Sequence, residues 1–393
     1  MRKAFLLSLL ISGSLVSIAQ EQKITIPMTA KDPEGFAPKG WEIEDVEKGD
    51  LNGDKIDDAV IVMSKPEVME NDTVKENSKR FLVLAFGDGE RFKRTAFSDR
   101  AVLDKDQGGA GVGDPFDEVK IENGVVIIDH YGGTSWRWSY THRYRWQQNR
   151  WMLIGRTTHS FHITEDSPAD EVDTNLSTGF VHRTDANIFD QNDKRKPPKT
   201  GDYYELQAIT TNEAQKIDGL FEPGEWQGYV LKLNAKKQVI RGVELWKGIS
   251  DVSAVLNAVR QGEDIFIRAE VTDDRFSEGD GLRLVNEKGL VIAPKEIKTA
   301  PTPKGYNVEA RYSMKDLAKL APEGEYADSA LKSFLSGDDP DGMDTDISFS
   351  AAVEIIDVDG KAKGATLSTR FHGSPFNGSI RAYPEGVAVL ENK

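Results

Sequence analysis

The sequence predicts an all-β protein, an N-terminal antiparallel β domain followed by a C-terminal antiparallel β-sandwich. Three observations carry this. Short apolar or alternating runs recur along the chain, among them Ala59-Val60-Ile61-Val62, Phe81-Leu82-Val83-Leu84 and Val125-Val126-Ile127-Ile128, and such runs bounded by turn residues read as strands. The punctuation is dense, with 35 Gly and 16 Pro in 393 residues, as a turn-rich chain requires. Helical periodicity is confined to the brief stretch Ser313-Met314-Lys315-Asp316-Leu317-Ala318-Lys319-Leu320.

Composition bounds the function before any motif is read. Fifty Lys and Arg against 65 Asp and Glu leave −15, which argues against a nucleic-acid partner, since phosphate binding rests on clustered basic charge. Cysteine is absent, excluding disulfide staples, thiolate metal sites and a cysteine nucleophile. With 38% hydrophobic and 29% charged residues, the chain has material for sizeable cores and is not of the disordered class.

In chain order, residues 1–19 read as a secretory signal peptide. Arg2 and Lys3 precede an apolar run from Phe5 to Val16, and Ser17-Ile18-Ala19 offers small residues for cleavage before Gln20. The run is shorter than the roughly 20 apolar residues a membrane helix needs, and no later segment is long and apolar enough. Loss of Arg2 and Lys3 leaves 48 basic against 65 acidic residues, a net −17. The expected location is periplasmic or extracellular, across the inner membrane.

Residues 20–160 form the first β block. Its sharpest motif is Asp50-Leu51-Asn52-Gly53-Asp54-Lys55-Ile56-Asp57-Asp58, running into the strand from Ala59. Side-chain oxygens fall at positions one, three, five and nine (Asp50, Asn52, Asp54, Asp58), with the Ile56 carbonyl at seven. This spacing wraps a turn around a hard cation, and Ca²⁺ takes 6–8 such oxygens. The other reading is a solvated acidic turn. The stretch resembles the calcium loop of FG-GAP repeats, and that resemblance implies a structural ion in a single copy, not a full propeller.

Farther along, Trp136, Trp138, Tyr140, His142, Tyr144 and Trp146 occupy alternate positions. A strand puts all six on one face, and Gln147-Gln148-Asn149 turns it into a hairpin with Trp151-Met152-Leu153-Ile154. Two readings stand: a packed core face, or a platform on which sugar rings stack, with Trp136, Trp138 and Tyr140 as the stacking residues. Gly108-Gly109-Ala110-Gly111-Val112-Gly113-Asp114-Pro115 lacks the Lys and helix of a phosphate loop and reads as a flexible surface loop. His159 and His162, at i and i+3, lack the convergent ligands zinc needs.

Residues 161–202 lose hydrophobic periodicity, and Asp190 to Lys199 has a linker's composition, so this segment is expected to be irregular. From 203 to 393 short strands resume. Ile217-Asp218-Gly219 with Glu222 to Trp226, Val271-Thr272-Asp273-Asp274, Gly305-Tyr306 with Glu309 to Leu317, and Ile347 to Asp359 occur in order. This half resembles carbohydrate-binding module family 9 and its DOMON-like relatives. The resemblance implies a secreted antiparallel sandwich, often appended to polysaccharide-degrading enzymes, with structural Ca²⁺ in some members. On that basis Trp246 and Tyr306 join the candidate ligand residues. Asp218 with Glu222 reads as a cation site or a turn brace, Asp273, Asp274, Asp357 and Asp359 as solvated turn acids, and Asp338 to Asp346 as a further acidic loop.

No Gly-x-Ser-x-Gly elbow, His-Glu-x-x-His helix or nucleotide motif occurs, so no catalytic residue is nominated. The sequence therefore points to a secreted carbohydrate-binding protein with structural Ca²⁺, non-catalytic or accessory to polysaccharide degradation, whose partner is a polysaccharide or oligosaccharide. The alternatives are a cell-envelope scaffold contacting other proteins and, less supported, a glycoside hydrolase.

Overall fold

The computed structural model describes residues 24–66, 68–70, 73–75, 79–164, 169–186, 199–221, 227–319, 330–335, 346–358 and 364–392. The leader expected at 1–19, the linker stretch at 190–198, Glu222, Trp226, the acids of 338–344 and Asp359 lie outside them. The protein is all-β, and its sheets are antiparallel but for two pairings noted below.

The first sheet has the order Thr29–Ala30, Phe92–Ser98, Arg80–Gly87, Asp58–Ser64, Glu42–Gly49. One interior strand, Asp58–Ser64, is buried at every position. The uninterrupted apolar run demanded this, because a strand apolar on both faces needs cover on both. Ala59, Ile61 and Met63 face one cluster with Phe36 and Trp41. Val60 and Val62 face another.

A second, long sheet carries the chain from one half to the other. Its path runs Phe116–Glu122, Val125–Gly133, Trp136–Gln147, Arg150–His162, Asp170–Asn175, Phe180–Asp185, Lys199–Thr210, Val252–Gln261, Asp264–Asp273, Gly305–Ser313, Glu296–Thr302. Residues 161–202 are therefore not irregular where described: Asp170–Asn175, Phe180–Asp185 and the start of Lys199–Thr210 are paired strands. They lack a hydrophobic period because much of their surface is open, and their register rests on the backbone ladder and polar cross-strand pairs such as Thr157 with Asp173. Lys199–Thr210 pairs in parallel with both Val252–Gln261 and Ser379–Ala382.

The sandwich of the second half forms where this long sheet faces a third one, ordered Val239–Arg241, Thr366–Ser368, Ala351–Ile356, Gly281–Asn286, Val291–Ile292. Ile265, Ile267, Ala269 and Val271 alternate into the shared core, as the two-residue period requires. Tyr306, Val308, Ala310 and Tyr312 do the same from the next strand. The helical stretch appears as Met314–Lys319.

A middle cluster belongs to neither half alone. Val60, Val62, Leu82, Tyr144, Trp151 and Leu153 from the first pack with Ile209, Tyr229, Val259, Phe266 and Tyr383 from the second. The chain end completes it, since Val389–Leu390 pairs with Arg150–His162. The glycine-rich loop after Gln107 is likewise fitted, not loose. A Cβ on Gly108 would lie 2.2 Å from the Gly113 carbonyl oxygen, and that carbonyl accepts the Gly108 N–H at 2.9 Å.

Candidate functional site

The acidic loop folds as a chain of Asx turns. Asp50 accepts the N–H groups of Gly53 at 2.6 Å and Lys55 at 3.0 Å, Asn52 accepts Asp54 N–H at 2.9 Å, and Asp54 accepts Ile56 N–H at 2.8 Å. Asp58 is fully buried and braces the loop by accepting Leu51 N–H at 2.8 Å and Gly87 N–H at 3.0 Å. The N–H of Gly53 and its neighbours hold the Asp50 carboxyl below the usual carboxylate range. Burial, then the charges of Asp54 and Asp50, push Asp58 up. The side-chain oxygens retain lone pairs for a cation. The carboxylates of Asp50, Asp54 and Asp58 do not, however, converge on a common point within 4.8 Å. Ile56 is exposed.

The aromatic ladder is graded along its length. Tyr144 is fully buried, with its hydroxyl donating to the Val387 carbonyl at 3.0 Å, and Trp146 packs edge-on against Phe86. Trp138 is buried because it lies against Gly132, directly opposite on the neighbouring strand. A Cβ there would sit 2.1 Å from its Cζ2. Tyr140 stacks on Trp138 at 4.8 Å between ring centroids, and Trp136 meets His162 at the same distance. Trp138 thus offers no open face, while Trp136 and Tyr140 are half-buried.

Trp246 and Tyr306 stand apart from the ladder. Trp246 donates from Nε1 to the Val252 carbonyl at 2.9 Å and packs on the sandwich core. Tyr306, nominated as a ligand residue, is fully buried with Phe276 against its ring at 4.8 Å. It cannot stack on a sugar, because strand alternation turns it inward with Val308. Asp218 accepts Leu220 N–H at 2.9 Å and so braces its turn. Asp273 and Asp357, expected to be solvated, are buried.

What the sequence did not foresee is a polar cavity of about 230 Å³ over the ladder. Its floor is one sheet face. Tyr140 lies opposite Thr158 and His130, and His142 opposite Arg156, so their side chains rise on the same side. Asp346 and Arg381, from the other half, form a wall. Arg156 donates to Asp346 at 2.8 Å, Arg381 pairs with the other Asp346 oxygen, and Arg381 Nε meets Glu205 at 2.8 Å. Burial raises the carboxyls of Glu205 and Asp346, but the two guanidinium groups outweigh it and hold both below their ordinary values. Buried acceptors and donors are thereby fixed in place, as paired buried charges must be.

Several polar atoms here await partners. Arg156 Nε, His142 Nδ1 and His130 Nδ1 have no hydrogen bond among the described residues. His130 Nε2 accepts Leu103 N–H at 3.1 Å, which places its proton on the unpartnered Nδ1. No motif spacing signals this site, because Arg156 and Asp346 lie 190 residues apart.

No protein-family model matches the chain, and no curated protein matches it. Among solved structures, a family 9 carbohydrate-binding module from Caldicellulosiruptor kristjanssonii in complex with glucose is similar at 14% identity and a TM-score of 0.28, over 46% of this chain and 96% of that one. The same organism's family 9 module with cellotriose is similar at 13% identity and a TM-score of 0.29, over 48% of this chain and 100% of that one. At these scores the likeness decides nothing about fold or ligand.

Proposed function

We propose that the protein is secreted and binds carbohydrate without transforming it, as an accessory to polysaccharide use, with the cavity beside Tyr140 as its sugar site. The observation that supports this is the pairing of a half-buried aromatic ring with fixed hydrogen-bonding groups in one concave place. The Tyr140 ring suits the apolar face of a sugar. Arg156, Thr158, Ser160 and Asp346, around the same cavity, supply the donors and acceptors that ring hydroxyls need. About 230 Å³ is below the roughly 300–1,000 Å³ of pockets that bury drug-sized ligands. It suits one ring at the end of a chain.

Affinity electrophoresis in gels containing soluble polysaccharides, backed by a glycan array, tests this. The wild type is expected to be retarded by at least one glycan. Tyr140→Ala is expected to weaken that binding about tenfold, equivalent to about 1.4 kcal/mol. Trp246→Ala, outside the residues that line the cavity, is expected to leave it unchanged. No retention on any glycan, with or without Ca²⁺, would overturn the reading.

The same proposal holds a structural Ca²⁺ in the Asp50 loop. An ion there would lower the like-charge cost borne by Asp58. Chelator is then expected to lower the melting temperature, and Asp54→Ala to reduce that effect. Equal chelator sensitivity of wild type and Asp54→Ala would remove this ion from the proposal.

A second reading, an envelope scaffold, draws on the edge strand Glu296–Thr302. It ends the long sheet and exposes Ile297, and a sheet edge can accept a partner strand. Pro301 within it blunts that capacity.

A further inference from the structure

We infer that the sandwich carries a buried site for a hard divalent cation, formed by Asp273, Asp280 and Asp357 and separate from the Asp50 loop. One carboxylate oxygen from each lies within 4.8 Å of the other two. The three come from different places in the chain. Asp273 ends the strand Asp264–Asp273, Asp280 precedes Gly281–Asn286, and Asp357 follows Ala351–Ile356. Gly281 and Ile356 are paired across the third sheet, which sets Asp280 and Asp357 side by side at its end. Asp273 reaches them from the facing sheet. An ion bound by all three would clip the two layers of the sandwich together.

Hydrogen-bond accounting favours a cation over a self-sufficient polar cluster. Asp273 is 6% exposed and Asp357 4%. One Asp273 oxygen accepts Arg275 N–H at 2.6 Å, while its buried Oδ2 meets no donor. Asp280 accepts Val358 N–H at 2.6 Å and also Ser277 N–H. Asp357 accepts Ala365 N–H at 3.4 Å. The donors to Asp273 and Asp280 are backbone amides, and no described Lys or Arg pairs with either. Buried carboxylates without a countercharge are costly, and all-oxygen ligation is the preference of Ca²⁺ and Mg²⁺. Asp273, buried beside the Asp280 and Asp357 carboxylates, bears a like-charge cost that a cation would relieve.

The competing account is a shared proton, with Asp273 neutral and donating to a neighbour. The Asp273→Asn variant separates the two. Its amide oxygen can keep the Arg275 N–H, and its NH₂ can face the remaining carboxylates, doing permanently what a shared proton does.

The experiment uses the full chain, with Ca²⁺ alone as the probe. Bound Ca²⁺ is counted by equilibrium dialysis, and melting temperatures are read in Ca²⁺ and in chelator, for wild type, Asp273→Asn, Asp280→Asn and Asp54→Ala. Asp273→Asn is expected to lose one ion per chain relative to wild type. It should melt higher than wild type in chelator and lower in Ca²⁺, a crossing of sign that mere structural damage does not give. Asp280→Asn, at a less buried position, is expected to lose the same ion and keeps the test valid should Asp273→Asn fold poorly. Asp54→Ala is expected to retain this ion, so the two loops are read apart. A Ca²⁺ count unchanged by both Asp273→Asn and Asp280→Asn would overturn the site. Glycan retention is a separate readout, so failure here and failure of the sugar proposal are distinguishable.

Discussion

His130 shows how one buried residue ties the cavity to solution conditions. Burial first, then the nearby His142 and Arg80, lower its pKa from 6.5 to about 3, and burial with Arg156 lowers His142 to about 4. Both imidazoles are therefore neutral in the folded protein at neutral pH. Below about 6.5 the unfolded chain takes up protons that the folded one refuses, so the unfolded state binds more protons and stability is lost as the pH falls. The loss runs from about pH 6.5 down through about 4 for His142 and about 3 for His130, and each tenfold difference in proton affinity between the two states is worth about 1.4 kcal/mol. Thermal melts between pH 7 and pH 4.5 are expected to show a falling midpoint. His130→Gln, whose amide oxygen can still reach the Leu103 N–H, is expected to flatten that slope. An equally steep slope in His130→Gln would show that other groups govern it. A neutral His142 adds no further positive charge to a cavity lined by Arg100, Arg156 and Arg381 as well as Asp346.

Strands were legible where burial left a pattern. Ala59 to Met63 and Ile265 to Val271 are apolar in runs or alternation because each has at least one covered face, and both appear where the residues put them. The hairpin was legible too, since Gln148 and Asn149 hold φ of 54° and 60° between paired strands, as a two-residue turn demands. Asp170–Asn175 was not legible, because a strand exposed along much of its length carries no hydrophobic period and Asp and Asn disfavour strands. The cavity was illegible for another reason. Its floor followed from the alternation of Trp138, Tyr140 and His142, but its wall depends on which distant strand ends arrive above that face. Asp346 was read only as the tail of an acidic loop. Against Arg156 and Arg381 it is instead the hub of a buried ion network. Similarly, Asp273 and Asp357 look like turn acids until the long sheet and the third sheet, facing each other, bring their strand ends together.

Across the whole molecule, the middle cluster packs residues of both halves into one core, which predicts that the halves unfold together. The Tyr229 hydroxyl, in the second half, lies 2.7 Å from the Leu153 carbonyl, to which its single proton is best placed to donate, and 3.0 Å from the Ala388 carbonyl, bringing first half, second half and chain end together at one atom. Phe266 lies on the face of its strand opposite the sandwich core, yet it is 4% exposed because it packs into this cluster. Phe266→Ala tests the coupling, since truncating a buried Phe costs about 3–5 kcal/mol. Five of the seven tryptophans, Trp41, Trp136, Trp138, Trp146 and Trp151, belong to the first half, so fluorescence reports chiefly on it, whereas far-UV circular dichroism reports on both. If the shared core couples the halves, Phe266→Ala lowers the fluorescence midpoint and the dichroism midpoint together, although the substitution is in the second half. A first-half fluorescence transition that stays at its wild-type midpoint while part of the dichroism signal melts early would mean two independent units. The cavity draws its floor from one half and its wall from the other, so a coupled molecule also keeps Arg156 and Asp346 in register until the whole fold is lost.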